Sequence, residues 1–214
     1  MKILSLSDIE LGFIYSAQIA QRFRDVDLVI SCGDLPHYYL EYVVSMLNVP
    51  VYFVHGNHAK PEHGERGPAR LAPAGAMNLH RRVVWDRGLL IAGIQGCNRY
   101  NFGAYQYTQE EMWEMVFGLV PALLYNRMRY GRYLDIFVSH APPWGIHDLE
   151  DVPHQGIKAF RWLLHTFKPA YHFHGHIHVY NSCEHTQTDF EHTRVINTYG
   201  YRETSIDVPH RQRF

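Results

Sequence analysis

The chain is poor in cysteine, in net charge and in long apolar runs, and each shortage excludes something. Its three cysteines, Cys32, Cys97 and Cys183, are odd in number, widely scattered and form no CxxC pair. A disulfide framework and a thiolate zinc site are therefore both excluded as organising devices. Reduced, buried thiols in a cytoplasmic protein are the expectation. Twenty Lys and Arg against 21 Asp and Glu leave a net charge of −1, so no bulk field draws the chain to nucleic acid or to a membrane. Arg81-Arg82 and the tail Arg211 to Arg213 are too short for a nucleic-acid track and read as solvated faces. No apolar run approaches the length that spans a bilayer. The amino terminus opens on a strand-like segment rather than a basic stretch with a long apolar core, so no signal peptide is expected.

What is present is an ordinary globular balance: 46% hydrophobic and 19% charged residues over 214 positions. One domain spanning 1–214 is expected at this length. Short β-rich runs alternate with amphipathic stretches, which predicts an α/β layered fold with crossovers. The predicted strands are Lys2–Ser7, Asp27–Ser31, Val51–Val54, Arg82–Trp85, Leu89–Ile94, Leu134–Ser139, Ala170–His174, Arg194–Thr198 and Glu203–Val208. The predicted helices are Phe13–Arg24, His37–Asn48, one opening at Thr108 and one over Gln155–Phe167. Thr108 with Glu111 three residues on is a capping-box pattern, and Pro121 is expected to kink or divide the helix that follows. Ala59–Asn78 and Gly96–Tyr107 read as long loops.

Sixteen histidines are many for this length, and their positions carry the chemistry. Five times an apolar strand ends and a metal-competent side chain follows at once: Asp8, Asp34, Asn57-His58, His140 and the pair His176/His178. Side chains at the carboxyl ends of strands converge in open α/β sheets. Carboxylate, carboxamide and imidazole together suit Mn, Fe, Zn or Mg and do not suit soft copper(I) or iron–sulfur sites. Singly, each piece has a plainer reading: Gly33-Asp34 and Gly56-Asn57 are common turns, and one histidine after a strand is usually structural. The ordered set is what points to a site.

In that order the segments Asp8-Ile9-Glu10, Gly33-Asp34, Gly56-Asn57-His58-Ala59, His140 and Gly175-His176-Ile177-His178 resemble the calcineurin-like metallophosphoesterases, whose motifs run D-x-H, G-D, G-N-H-[DE], H and G-H-x-H. The resemblance covers nearly the whole chain. It implies the metallo-dependent phosphatase fold, a four-layer α/β/β/α sandwich with two mixed β-sheets, and two divalent metal ions, with Mn favoured. Asp34 would bridge the ions. One would take Asp8, Asp34, His178 and residue 10; the other would take Asp34, Asn57, His140 and His176. Asp34 and His58 would be the catalytic residues, with His58 assisting the leaving oxygen while a metal-bridging hydroxide attacks phosphorus.

Two positions depart from that pattern. Glu10 stands where the family has histidine, and it is expected to meet the metal directly or through water, as a harder oxygen donor. Ala59 replaces the acid that would orient His58. On the substrate side, Arg99 and His147 are the candidate binding residues, drawn from the loops 98–102 and 142–154. A phosphodiester, with a nucleotide as one candidate, is the favoured small phosphorylated substrate. A phosphomonoesterase or protein phosphatase on the same site, and a non-catalytic binding module on the same scaffold, are the alternatives. No membrane partner is expected, and the oligomeric state is left open.

Overall fold

Successive residues of the first strand belong to different cores. In β1 (Lys2–Ser7), Ile3 joins one apolar cluster while Leu4 and Leu6 join another. The same division recurs in β2 (Leu28–Ser31), where Leu28 and Ile30 oppose Val29, and in β3 (Val51–Phe53), where Tyr52 opposes Val51 and Phe53. A strand buried on both faces needs an unbroken apolar run, which is why these segments lack polar alternation. The computed structural model describes residues 1–62, 69–180 and 186–207. Cys183 and the arginine tail lie outside them, as does part of the loop expected over 59–78.

The remaining elements are α1 (Gln18–Arg22), α2 (His37–Leu47), β4 (Met77–Asn78), β5 (Arg82–Asp86), β6 (Leu89–Ile94), β7 (Cys97–Asn98), β8 (Gln106–Tyr107), α3 (Gln109–Tyr130), β9 (Ile136–Ser139), α4 (Lys158–Phe167), β10 (Tyr171–His174), β11 (Gln187–Phe190), β12 (Thr193–Asn197) and β13 (Gly200–Ser205). One sheet runs β13-β1-β2-β3-β4 and the other β11-β12-β10-β9-β6-β5. In each sheet the inner strands are parallel; β13, β11 and β5 pair antiparallel with their neighbours. Ile3, Ile30, Ile91, Ile136, Val138 and Phe173 fill the space between the sheets. Outside the first sheet, Ile19 of α1, Phe23 just after it, and Tyr39 and Val43 of α2 pack on Leu4 and Phe53. Outside the second, Met112, Val116 and Leu119 of α3 and Phe160 and Leu163 of α4 pack on Ala92 and Phe137. The molecule is the four-layer α/β/β/α sandwich with two mixed sheets that the resemblance implies.

Element boundaries depart from expectation where the local signal is weak. The first helix is the short Gln18–Arg22 rather than 13–24. β4, β7, β8 and β11 go unpredicted. The capping box at Thr108 and Glu111 is formed in both directions. Pro121 does not divide α3, which runs unbroken through it. Proline removes one backbone donor, to the Phe117 carbonyl, and both residues lie on the outer face, where water can serve that carbonyl. Among the described residues no helix is long and apolar enough to cross a membrane.

Candidate metal centre

The parallel strands of the two sheets end at the same rim of the sandwich, and the turns after them are pinned together. Gly175 donates to the His140 carbonyl at 3.0 Å and Asp8 to the Gly33 carbonyl at 3.2 Å. Asp8, Asp34 and His176 all adopt left-handed backbone, with φ of 66°, 57° and 67°. Such conformations cost a non-glycine residue of order 1 kcal/mol or more and persist where surroundings over-determine them. The close approach also explains two glycines: a Cβ at Gly56 would collide with Asp34 Oδ1, and one at Gly175 with Ser7 Oγ.

Asp8, Asp34 and His140 bring their ligand atoms within 4.8 Å of one another. His140 sits at the centre and is fully buried. Its Nδ1 faces the Cys32 carbonyl at 2.8 Å; a carbonyl only accepts, so Nδ1 carries a hydrogen and Nε2 points inward. Around Nε2 lie Asn57 Oδ1 at 2.9 Å, Asp34 Oδ2 at 3.1 Å and His176 Nδ1 at 3.1 Å. His176 is fixed by the same device, since its Nε2 faces the Pro153 carbonyl at 2.8 Å and its lone pair is left on Nδ1. Asn57 is oriented by Tyr100, whose hydroxyl accepts from Nδ2 at 3.0 Å. Four acceptor atoms thus converge on one point. A single proton can serve one of them; a cation serves all four. The 2.9 to 3.1 Å from His140 Nε2 to the other three matches ligand atoms set at about right angles around an ion with bonds of about 2.1 Å. The donor set fits a divalent metal.

The electrostatics agree. Burial pushes the His140 imidazole down, but the Asp34 carboxylate outweighs it and raises it to about 9. Burial likewise opposes ionisation of Asp34, yet His140 and the His58 backbone N–H bring it down to about 2. Burial raises Asp8, against the pull of His140. Burial and the neighbouring His140 hold His176 at about 3. Asp34 is held ionised and His176 neutral, as a hard-to-borderline cation needs, while His140 keeps a proton that the cation would displace.

The other expected positions divide. His58 donates its backbone N–H to Asp34 Oδ1 at 2.8 Å, and its imidazole is exposed. Among the described residues no carboxylate bonds that ring, in keeping with Ala59. Glu10 does not enter the group: it is exposed, and its carboxylate accepts from the Tyr38 hydroxyl on α2. His178 is exposed too, with Nδ1 2.9 Å from the Tyr180 hydroxyl and its ring against Tyr199. The donor set expected around Asn57, His140 and His176 is therefore assembled, while the one expected around residue 10 and His178 is splayed.

Both proposed substrate residues are engaged by partners within the chain. Arg99 is engaged by Glu111 at 2.8 Å and by the Gln106 carbonyl, so it braces the start of α3. His147 has Nδ1 2.9 Å from His174 and Nε2 2.9 Å from Thr188. Sequence reasoning placed Tyr100 in a substrate-side loop and missed its contact with Asn57, that of Tyr38 with Glu10, and the two tautomer-setting carbonyls. No spacing rule could have found them, since carbonyls carry no residue identity and both tyrosines act across long sequence separations.

A family model described as calcineurin-like phosphoesterase matches residues 1–180. The chain belongs to the calcineurin-like phosphoesterase family. Solved structures share its fold. One crystal structure aligns with a TM-score of 0.63 at 14% identity, covering 94% of this chain and 93% of its own length. TT1561 of Thermus thermophilus aligns at 0.55 and 16% identity, covering 93% and 89%. GAP50, the anchor in the inner membrane complex of Plasmodium, aligns at 0.50 and 15%, covering 93% and 71%. Comparison with curated proteins found no match. At such identities the alignments speak to the calcineurin-like fold alone.

Proposed function

We propose that this chain is a metal-dependent phosphodiesterase. The observation that carries the reading is the convergence of Asp34, Asn57, His140 and His176 acceptor atoms on one buried point at the strand ends. Asp34, Asn57, His140 and His176 would hold one divalent ion firmly. Asp8, with Glu10 and His178 swung inward, would hold a second more weakly. Bound there, divalent ions draw charge from the phosphoryl oxygens and make water a nucleophile at neutral pH. Mn is the favoured identity on the mixed oxygen and nitrogen donors.

The chain's own residues do the rest. Asp34 anchors the backbone of His58, which sets that imidazole on the open side of the site. From there His58 delivers a proton to the departing oxygen. In the balanced reaction water adds to phosphorus, one P–O ester bond breaks, and the leaving alcohol gains the proton. A diester carries an arm on either side of phosphorus, and a cavity beside Asp34 and His58 offers space for one such arm. That favours a diester over a monoester. The buried, unpaired thiols Cys32 and Cys97 support a cytoplasmic location.

Metal analysis paired with hydrolysis of bis(p-nitrophenyl) phosphate and p-nitrophenyl phosphate, across Mn, Mg, Zn and Fe, tests this. Turnover of the diester ahead of the monoester, with at least one ion bound, is expected. Full occupancy without turnover of either ester would instead make the chain a binding module, the second reading favoured by the outward Glu10 and His178.

A further inference from the structure

Next to Asp34, between the start of α2 and residues 58–62, lies a cavity of about 280 Å³. Leu35, Pro36 and Ala59 give it an apolar floor, and His58 stands on its wall. The remaining polar groups make its chemistry unusual for a site that already holds carboxylates. His37 lines it at 4% exposure, with Nδ1 lacking any hydrogen-bond partner and 3.9 Å from Glu62 Oε2. Lys60 lines it from the exposed side and, among the described residues, makes no ion pair. Asp34 and Glu62 are the acids in its lining, and Glu62 is engaged by Arg70, which also reaches Glu41. Glu62 accepts from the His37 backbone N–H at 2.8 Å and from Arg70 at 2.8 Å. That contact also shows this end of α2 accepting an anionic oxygen, as free N–H groups and the helix dipole favour.

We propose that this cavity is the leaving-group subsite and that it selects a leaving group bearing a phosphate of its own. The proposal rests on the phosphodiesterase reading above. His58 separates the two regions, so the group it protonates must extend past it into the cavity. There Lys60, unpaired among the described residues, and the His37 Nδ1, which makes no hydrogen bond, are polar groups that a second phosphate would engage. The volume suits a phosphorylated sugar-sized fragment and is below that of a drug-sized pocket. Ala59 contributes only a methyl to the wall, so position 59 adds no carboxylate beside Lys60 to those of Asp34 and Glu62.

The test uses the metal-loaded chain and two thymidine dinucleotides, one with a 5′-terminal phosphate and one without. Water adds to the internal phosphorus, its bond to the 3′ oxygen breaks, and that oxygen takes the proton. The phosphorylated dinucleotide then gives two thymidine 5′-monophosphates, and the other gives thymidine and one monophosphate. A charged hydrogen-bond donor without a rival predicts a preference of about tenfold or more in kcat/KM for the phosphorylated form. That ratio should fall to within about twofold in Lys60→Ala and in Ala59→Asp, and persist in Lys60→Arg. A wild-type ratio near one, or a ratio that survives both changes, overturns the subsite. If neither dinucleotide is hydrolysed with any metal, the phosphodiesterase reading fails by itself. The subsite is then judged by the same ratio in dissociation constants from calorimetric titration, where equal affinities would overturn it.

Discussion

His140 decides the state of the site. With Nδ1 committed to the Cys32 carbonyl, its Nε2 is held against Asp34 and raised to about 9. At pH 7 the metal-free chain therefore keeps a proton where a cation would sit. Binding one ion should release about one proton at pH 7 and progressively less above pH 9. Calorimetric titrations of Mn in buffers of differing ionisation enthalpy read that number directly, and zero release at pH 7 would mean His140 is already neutral. Glu10 gives a second expectation at this scale. Held outward by Tyr38, it leaves the Asp8 side short of a ligand, so Glu10→His should raise bound metal per chain towards two and lower the second dissociation constant about tenfold or more. Metal analysis after dialysis measures it. The strand-end ligands were legible in the sequence because residue type and position coincide there. The directions taken by Glu10 and His178 were not, since each depends on a tyrosine contributed by the fold.

Among the elements, α3 carries its own contradictions. Its amino terminus is closed by a reciprocal cap, with Thr108 Oγ1 accepting from Glu111 N–H at 3.2 Å and Glu111 returning to Thr108 N–H at 2.7 Å. Thr108→Ala should cost about 1 kcal/mol. Pro121 works in the opposite direction from inside the same helix. Replacing it with alanine restores a backbone bond on an exposed face and should stabilise the chain by about 1–3 kcal/mol. Urea midpoints for the two variants, expected to move in opposite directions, check both. The capping box was readable because it is a fixed four-residue pattern. Continuity through Pro121 was not, because it depends on which face the proline lies, and that is set by packing of Met112, Val116 and Leu119. The two-residue strands β4, β7 and β8 escaped for a related reason: so short a run has no periodicity to detect.

For the whole molecule, buried and half-buried histidines held neutral set a limit on the acid side. His55 and His80 are each lowered to about 4 and His172 to about 3, in every case mainly by burial. The unfolded chain takes protons near pH 6.5 that the folded chain refuses. Unfolding therefore binds protons, and stability falls as pH drops from about 6.5 towards 4. The His140–Asp34 pair has the opposite sign on the alkaline side: its contribution in the metal-free chain is complete below about 6.5 and lost as pH rises through about 9. Thermal midpoints in chelator should thus be highest between these windows, and a midpoint unchanged from pH 7 to pH 5 would show that these imidazoles are not held neutral. The α/β class was legible because apolar strands alternate with helices, and the layer order of the sandwich followed from the family resemblance alone. The pairing of its edges by β11 was not legible, since Gln187 to Phe190 carries no apolar run.

The left-handed backbone at Asp8, Asp34 and His176 has a further meaning for anyone who would improve this protein. Each of those residues holds a conformation that asparagine or glycine occupies more readily, and Asp8 is also a buried acid pushed towards its neutral form. Asp8→Asn should therefore raise the melting temperature of the metal-free chain, by about 2–4 °C for each kcal/mol relieved, while weakening its hold on Mn. Scanning calorimetry with and without the ion would show the two effects crossing. A laboratory selection that rewards heat resistance alone, run in chelator, would drift towards a sturdier chain that has discarded its chemistry.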